Sequence, residues 1–493
     1  MPVFQGFVGG DYPLVGPNIS PERSMNLFVE SLEQGPRAGQ KILRNIPGLP
    51  TFKTIATRPL RALWSNATRC FAIGGNTLWE IFNDGRPDVL VGVIKNATTP
   101  ATITSNGTSL AIASGNSAYL ALGVGVGIIP LIDTTGAPIN ASSIAFLGQY
   151  FIAAIAGTRL IMVSNLAPDG GTWDPANVAT KEAYSDNIVR VWVDDPGGQY
   201  LWLFGDDTTE IWTQTADLFP FSRIQGGVLS IGCDAPWSVA GVAGNRFWLW
   251  HETIWWATGF SPQRVSDYAV EQAISSYSDL DRASAEGFSY IHEGHVNYAI
   301  SFPISGKTHV FDLKEKAWHQ RAYFSNGQFS RYRPRVTTVA FGGKHLMGDY
   351  DTGDIYELDE NTFTDAHGVP LVRDRITSYI TDEMKNVRYN KLTIDMDTGI
   401  GLPVAPGQPG YDPQVIMRYS NNRGKNWSDE RTTSAGRLGE TNRRVVFNQL
   451  GSSRIGLAVW LRMTDPVPTS YNGAYIDIGQ SIIQGVQPGQ VAR

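Results

Sequence analysis

Cysteine is nearly absent: Cys70 and Cys233 are the only two in 493 residues. A single pair in so long a chain makes no disulfide framework and points to a reducing compartment or to indifference to redox state. A long apolar run is lacking too. The longest, residues 119–132, is interrupted by Gly123, Gly125, Gly127 and Pro130. It is too short and too rich in glycine to span a bilayer as a helix, so no membrane anchor is expected. The opening residues MPVFQGFVGGDYP have neither the basic start nor the apolar core of a signal peptide. That predicts synthesis and use without secretion by the usual route. Positive charge is not in excess either. The formal net charge is −6, which argues against a DNA-coating role, because phosphate binding requires basic surface.

Catalytic signatures are also missing. There is no Gly-x-Ser-x-Gly elbow and no Walker-type glycine loop. The two cysteines sit in apolar strand settings, Arg69-Cys70-Phe71 and Gly232-Cys233-Asp234, and read as structural. A glycosidase needs two carboxylates about 5–9 Å apart, which sequence alone cannot place. We therefore expect no catalytic residue, no cofactor and no metal, and a protein that is not an enzyme.

What the chain has is repetition. Seven segments share one template of short apolar strands separated by Gly/Asn turns. Their second strands begin near Phe71, Leu110, Phe151, Leu201, Phe247, Val296 and His345, at spacings of 39 to 50 residues. A period of roughly 40–50 residues with three or four strands per unit is the signature of propeller blades. In one unit, residues 188–193 (IVRVWV), 200–204 (YLWLF) and 210–212 (EIW) are strands joined by turns rich in Asp, Pro and Gly. They are apolar on both faces, as expected of a sheet sandwiched between two neighbours. Trp192, Trp202 and Trp212 recur every ten residues and suit the gap between diverging sheets. A stack of ordinary sandwiches is the competing arrangement, and even, short strands at fixed period favour the propeller.

The pattern changes near residue 366. Residues 375–380, 389–396, 415–419, 444–447 and 458–463 read as longer strands that alternate polar with apolar, as strands do when one face is solvated. The expected fold class is all-β, a propeller of about seven blades followed by an antiparallel β-sandwich. The expected domains are residues 56–365 for the propeller, 371–485 for the sandwich and 486–493 for a mobile tail. Residues 1–55 complete a blade, lie outside the ring or contact a neighbour. Helical periodicity is visible only over residues 268–276.

Four motifs carry candidate chemistry. Ser420, Asn422, Gly424 and Trp427 match the Asp-box pattern S-x-D-x-G-x-x-W, with Asn422 where Asp is usual. A short polar side chain there caps the amides of a hairpin turn, so the box stabilises a turn and performs no chemistry. Asp349, Asp351, Gly353 and Glu360 loosely mimic a calcium loop, but Asp354 stands where the loop needs Gly, and a plain turn is the simpler reading. His292 and His295 lie three apart around Glu293-Gly294, which is not metalloprotease spacing and reads as a turn with exposed imidazoles. Arg437, Arg443, Arg444, Arg454 and Arg462 read as a solvated sheet face, with a partner surface as the alternative.

Several segments together resemble the packaged DNA stabilisation proteins, the tail hub family of short-tailed bacteriophages. They are Ser24-Met25-Asn26-Leu27 followed by Leu43-Arg44-Asn45-Ile46-Pro47-Gly48-Leu49, then Arg61-Ala62-Leu63-Trp64, then His309-Val310-Phe311-Asp312-Leu313 with Trp318. The closing block runs over residues 387–396, the hairpin at 420–427 and residues 460–463. The resemblance implies a virion tail protein assembled in the host cytoplasm. It implies a hexameric homo-oligomeric ring below the portal–adaptor proteins that retains packaged DNA and carries tail fibres or tailspikes. Genomic DNA would pass without specific binding. The competing reading is a carbohydrate-binding or carbohydrate-cleaving propeller; sialidase-like propellers repeat the Asp box across blades, whereas here one box stands outside the blade series.

Charge sharpens the DNA expectation. Residues 366–493 hold 15 Lys+Arg and 11 Asp+Glu, or +4; the remainder of the totals, 25 and 35, leaves −10. The free protein should not bind duplex DNA appreciably at physiological salt, and a gel shift with sub-micromolar, salt-sensitive affinity would contradict this.

Overall fold

The turns explain why these short apolar segments become hairpins. In the second repeat Ser109–Ser114 and Ser117–Leu122 are joined by Gly115 and Asn116, at φ 57° and 58°. Two successive left-handed residues make the tight turn whose twist matches the flanking strands. A computed structural model describes residues 3–14, 20–34, 38–122, 127–166, 172–193, 198–382 and 385–479. They divide into two units.

One unit comprises residues 49–316 and 330–359. It is a β-propeller of seven antiparallel blades, and in the first five the strands follow one another in order. We number the blades by their first, innermost strands: Leu60–Ser65, Thr102–Ser105, Ala141–Leu147, Ile188–Trp192, Ala240–Val242, Glu286–His292 and Pro334–Ala340. Each of the first five has three further strands of its own. In the sixth, Glu286–His292 pairs with His295–Phe302, which pairs with Lys307–Asp312. The seventh uses Lys344–Asp349 and Asp354–Glu357, and its fourth strand comes from the start of the chain: Thr51–Thr54 pairs antiparallel with Asp354–Glu357.

Both faces of the blades are buried, as the unalternating strands require. Between blades 1 and 2, Phe71, Ile73 and Leu78 meet Leu110, Ile112 and Ala121. Between blades 4 and 5, Trp202 and Phe204 pack against Trp248, with ring centroids 6.3 and 5.4 Å apart. Between blades 7 and 1, Leu346 and Ile355 meet Ile55, Leu60, Ala72 and Ile81. The helix Tyr268–Ser275 forms where helical period was visible, capped by Asp267, whose side chain accepts from the Val270 amide.

The other unit comprises the described parts of residues 1–48, 317–329 and 360–493. It is a two-sheet sandwich. One sheet runs Ala317–Gln320, Pro21–Met25, Arg373–Ile376, Ala458–Met463, Gln414–Ser420, Arg431–Ser434; the other runs Leu27–Ser31, Lys41–Asn45, Ser470–Gly479, Val387–Met396, Val445–Asn448. Leu27, Val29, Leu392 and Ile476 from the second share one core with Val415, Met417, Val459 and Leu461 from the first.

The division differs from the expected one. Residues 1–55 split between the units: 51–54 complete blade 7, while 21–25, 27–31 and 41–45 are strands of the sandwich. Residues 317–329, expected in the propeller, lie in the sandwich unit as well. The cause is pairing across the whole chain. Arg375, fully buried, donates to the carbonyls of Gly6, Phe7 and Gly10, to Ser24 Oγ and to Glu22. Buried Asn26, at φ 56°, donates to the Ala322 and Val372 carbonyls and accepts from the Ala322 amide. Strand Ser470–Gly479 was not anticipated, because Gly473 and Gly479 dilute its apolar alternation. The tail at 486–493 lies outside the described residues.

The seam between blades 7 and 1 yields a test. Ile55 is 4% exposed in that core, and its amide donates to Gly353 O at 2.9 Å. Ile55→Ala should cost about 2–5 kcal/mol in denaturant unfolding, whereas truncating Ile304, 61% exposed, should change stability by less than about 0.5 kcal/mol.

Candidate functional site at the propeller channel

The innermost strands surround a central cavity of about 630 Å³, lined in part by Thr102, Arg190, Gly287, Ser289, Arg335 and Thr337. A space of this size is that of a small-molecule pocket, about 300–1,000 Å³, and admits no duplex. Four of the seven innermost strands carry a bulge near their start. Leu60 and Ala62 oppose Gly74 and Ile73, leaving Arg61 as the extra residue. Pro334 and Val336 oppose Asp349 and Gly348, leaving Arg335 in the equivalent place. Ser142 and Val189 occupy it in blades 3 and 4. A bulge adds one residue to one strand and re-aims its side chain.

In blades 1 and 7 the re-aimed side chain is a buried guanidinium. Arg61 donates from Nε to Thr99 O at 2.7 Å, from Nη1 to Gly75 O at 2.8 Å and from Nη2 to Ser114 Oγ at 2.8 Å. Arg335 donates from Nη2 to the neighbouring carbonyl, Thr98 O, at 2.7 Å and to Glu286. Glu286 also takes Arg331 on its second oxygen. Side chains of Glu286, Arg331 and Arg335 are 8%, 6% and 5% exposed. Desolvation, with Arg335 alongside, lowers Arg61 to about 10. Arg335 is lowered as well, by desolvation first and by Arg331, against the pull of Glu286. Arg190 is lowered to about 10 by desolvation; it donates to Pro236 O at 2.7 Å and lies 5.2 Å from the Trp192 and Trp237 rings.

The sequence motifs resolve elsewhere. Ser420 Oγ accepts from the Gly424 amide at 2.9 Å, and Asn422 Oδ1 accepts from the Asn426 amide and from the Ser420 hydroxyl, each at 2.9 Å. Arg423 and Gly424 take φ 57° and 75°. Trp427 is only half-buried and stands edge-on to Trp460, with centroids 5.7 Å apart. The hairpin is therefore a capped turn of the sandwich. Asp349 accepts from the amides of Asp351 and Thr352, from the Tyr356 hydroxyl and from Arg333 Nε. Asp349 thus caps a turn and pairs with Arg333.

His292 and His295 correct their expectation. They face each other across a hairpin and are buried, not exposed, because His295 Nδ1 bonds the buried Asp312 carboxylate at 2.6 Å. Cys70 and Cys233 are buried free thiols, each pushed up to about 12 by desolvation. Among the arginines, Arg437, Arg443, Arg444 and Arg454 are exposed. Arg462 is not one of that group: it is half-buried and clamps fully buried Asp374 at 2.7 and 2.8 Å. Sequence reasoning missed Glu286, Ser289 and Arg335. A signal existed in Ser330-Arg331-Tyr332-Arg333-Pro334-Arg335, where alternate arginines precede an apolar strand.

Residues 22–363 match the family model described as bacteriophage P22 Gp10, beta-propeller, and residues 373–479 match that described as bacteriophage P22 Gp10, beta-sandwich. Among curated proteins none matches the chain. Among solved structures, the Neurospora crassa Pan2 WD40 domain aligns with a TM-score of 0.40 and 9% identity over 64% of this chain and 95% of that domain. PorZ, a surface component of the type-IX secretion system of Porphyromonas gingivalis, aligns with a TM-score of 0.36 and 12% identity. That match covers 70% of this chain and 44% of PorZ, so this chain spans less than half of it.

The carboxylate at the centre of the arginine cluster gives a prediction. Glu286→Gln removes the one negative charge shared by Arg331 and Arg335 and should cost about 3–5 kcal/mol, measured by thermal or denaturant unfolding. An unchanged midpoint would mean that the two guanidiniums are not held by this charge.

Proposed function

The chain belongs to the bacteriophage P22 Gp10 family of phage tail structural proteins, and from that premise we propose that it is the tail hub, or nozzle, of a short-tailed phage. The observation that carries the reading is that both family models match, in order, over the propeller and the sandwich. In this role the protein forms a ring below the portal–adaptor proteins, retains packaged DNA, lines its exit and anchors tail fibres or tailspikes. It acts by shape and contact, without bond chemistry.

The channel supports a ring over a single-subunit conduit. A cavity of about 630 Å³ cannot pass DNA, so the genome would travel between subunits. Cyclic assembly requires one patch to meet a different patch on the neighbour. The propeller unit holds 20 Lys+Arg and 29 Asp+Glu, or −9, and the sandwich unit 20 and 17, or +3, which offers complementary surfaces. The outermost strands of blades 1 and 2 offer an apolar one: Val89, Leu90, Val93 and Ile129 are 44–60% exposed. Exposed apolar residues on an open strand edge are a pairing surface that proteins otherwise protect.

The sixfold number follows from the family resemblance and not from the charge argument. Cryo-electron microscopy of purified tails, or native mass spectrometry after mixing with the portal–adaptor complex, should find a ring of six copies. A fivefold or threefold arrangement, or a location on the capsid shell alone, would refute the proposal.

A further inference from the structure

The arginine bulges of blades 7 and 1 create an imbalance of buried charge. Arg61, Arg331 and Arg335 are all 6% exposed or less; among the described residues one carboxylate, Glu286, pairs with Arg331 and Arg335, so three positive charges against one negative leave +2. Among the described residues, the charged group that acts on Arg61 is Arg335, which repels it. Isolated buried charges are costly, and proteins neutralise them by pairing. Backbone carbonyls of Thr98, Thr99 and Gly75 take part of the load here, but they bring no countercharge.

Two residues that line the channel carry enclosed donors without partners. Among the described residues, Arg335 Nε is buried without a hydrogen-bond partner, and so is Ser289 Oγ, whose residue is 8% exposed; both residues line the channel. Arg190, on the opposite part of the blade series, lines the channel too and leaves its Nε unpartnered. A forked guanidinium and a hydroxyl are the donors that oxyanions take, and phosphate matches the fork. We propose that the propeller channel is a binding site for a small oxyanion of the phosphate class, held by Arg335 and Ser289 and offsetting the buried charge of Arg61, Arg331 and Arg335. Ser289 and Arg335 come from blades 6 and 7, so the bound anion ties these two neighbouring blades together. Its occupancy therefore raises the stability of the closed ring.

The test uses the full chain at pH 7.5 and compares inorganic phosphate with chloride at equal ionic strength. Phosphate should raise the melting midpoint by a few degrees in a saturable way, and isothermal titration should give one site per chain. Ser289→Ala removes a hydroxyl at little structural cost and should weaken phosphate binding several-fold. Arg335→Lys keeps the charge but loses the fork and should weaken it further; Arg86→Gln, at an exposed turn, should leave it unchanged. If Arg335→Lys does not fold, Ser289→Ala and the titration still decide. A single-stranded octanucleotide separates two sources of the same chemistry: displacement of phosphate by it assigns the site to a DNA phosphate, and no displacement assigns it to the free ion. Equal midpoints in phosphate and chloride would overturn the proposal, as would phosphate binding that Ser289→Ala and Arg335→Lys both leave intact.

Discussion

The propeller is closed by a strand that lies about three hundred residues from its partner. Thr51–Thr54 joins Asp354–Glu357, and Ile55 next to it enters the core shared by blades 7 and 1. Without that pairing blade 7 would end in an open edge, with unpaired amides and carbonyls exposed to water or to another chain. The cost of closing so long a loop grows only with the logarithm of its length, so a few buried apolar contacts suffice to hold it shut. The kinetic consequence is larger: contacts of this separation form late and slow folding. Blades 1 and 2, 3 and 4, and 4 and 5 share cores between consecutive segments, so the seam is where the architecture depends on the whole chain.

Buried arginines perform a second, distributed task. Arg61, Arg190 and Arg335 in the propeller, and Arg373 and Arg375 in the sandwich, each donate to backbone carbonyls of loops that precede or leave strands. A hydrogen bond from a charged donor contributes about 1.5–3 kcal/mol, while desolvating the ion costs several. Three or more such bonds, as Arg61, Arg373 and Arg375 make, bring the sum near balance. What the arrangement supplies is specificity of loop path, since a rigid fork accepts few alternative loop conformations. Arg373 shows the pattern fully: it holds Val467 O, Asp465 O and Thr469 Oγ1, three groups of a single loop.

The repeat was legible because each blade is local. Strands such as Ile188–Trp192 and Tyr200–Gly205 are separated by turns rich in Asp and Gly, and their apolar residues on both faces follow from burial between neighbours. The capped hairpin at Ser420 was legible for the same reason, since the capping bonds of Ser420 and Asn422 span four residues or fewer. What escaped was set by distance along the chain. Strands Pro21–Met25 and Leu27–Ser31 look like any short strands, and only their partners, Arg373–Ile376 and Lys41–Asn45 with Ser470–Gly479 beyond, assign them to the sandwich. The histidines escaped because a turn motif predicts backbone shape and says nothing of burial, which the remote Asp312 decides. The arginine cluster escaped because charge is read as surface until a carboxylate such as Glu286, more than forty residues from either partner, is placed against it.

These features bear on how a tail hub would work. A protein that contains DNA under load must resist opening without binding what it contains. The fold meets the first need with closed antiparallel ladders, in which a blade can leave only by breaking core contacts on both of its faces together with a seam. It meets the second by keeping its arginines inside. Arg61, Arg331, Arg333, Arg335, Arg373 and Arg375 are all 7% exposed or less, so they add positive charge to the sequence count without adding it to the surface. Buried carboxylates such as Asp281, Glu286, Asp349 and Asp374 offset them, so the surface keeps the negative balance of the formal charge, −6. Acidic surfaces repel phosphate at a distance and form no adhesive contacts along a passing duplex. In a tail hub, the same burial that fixes the loops would also keep the walls non-adhesive.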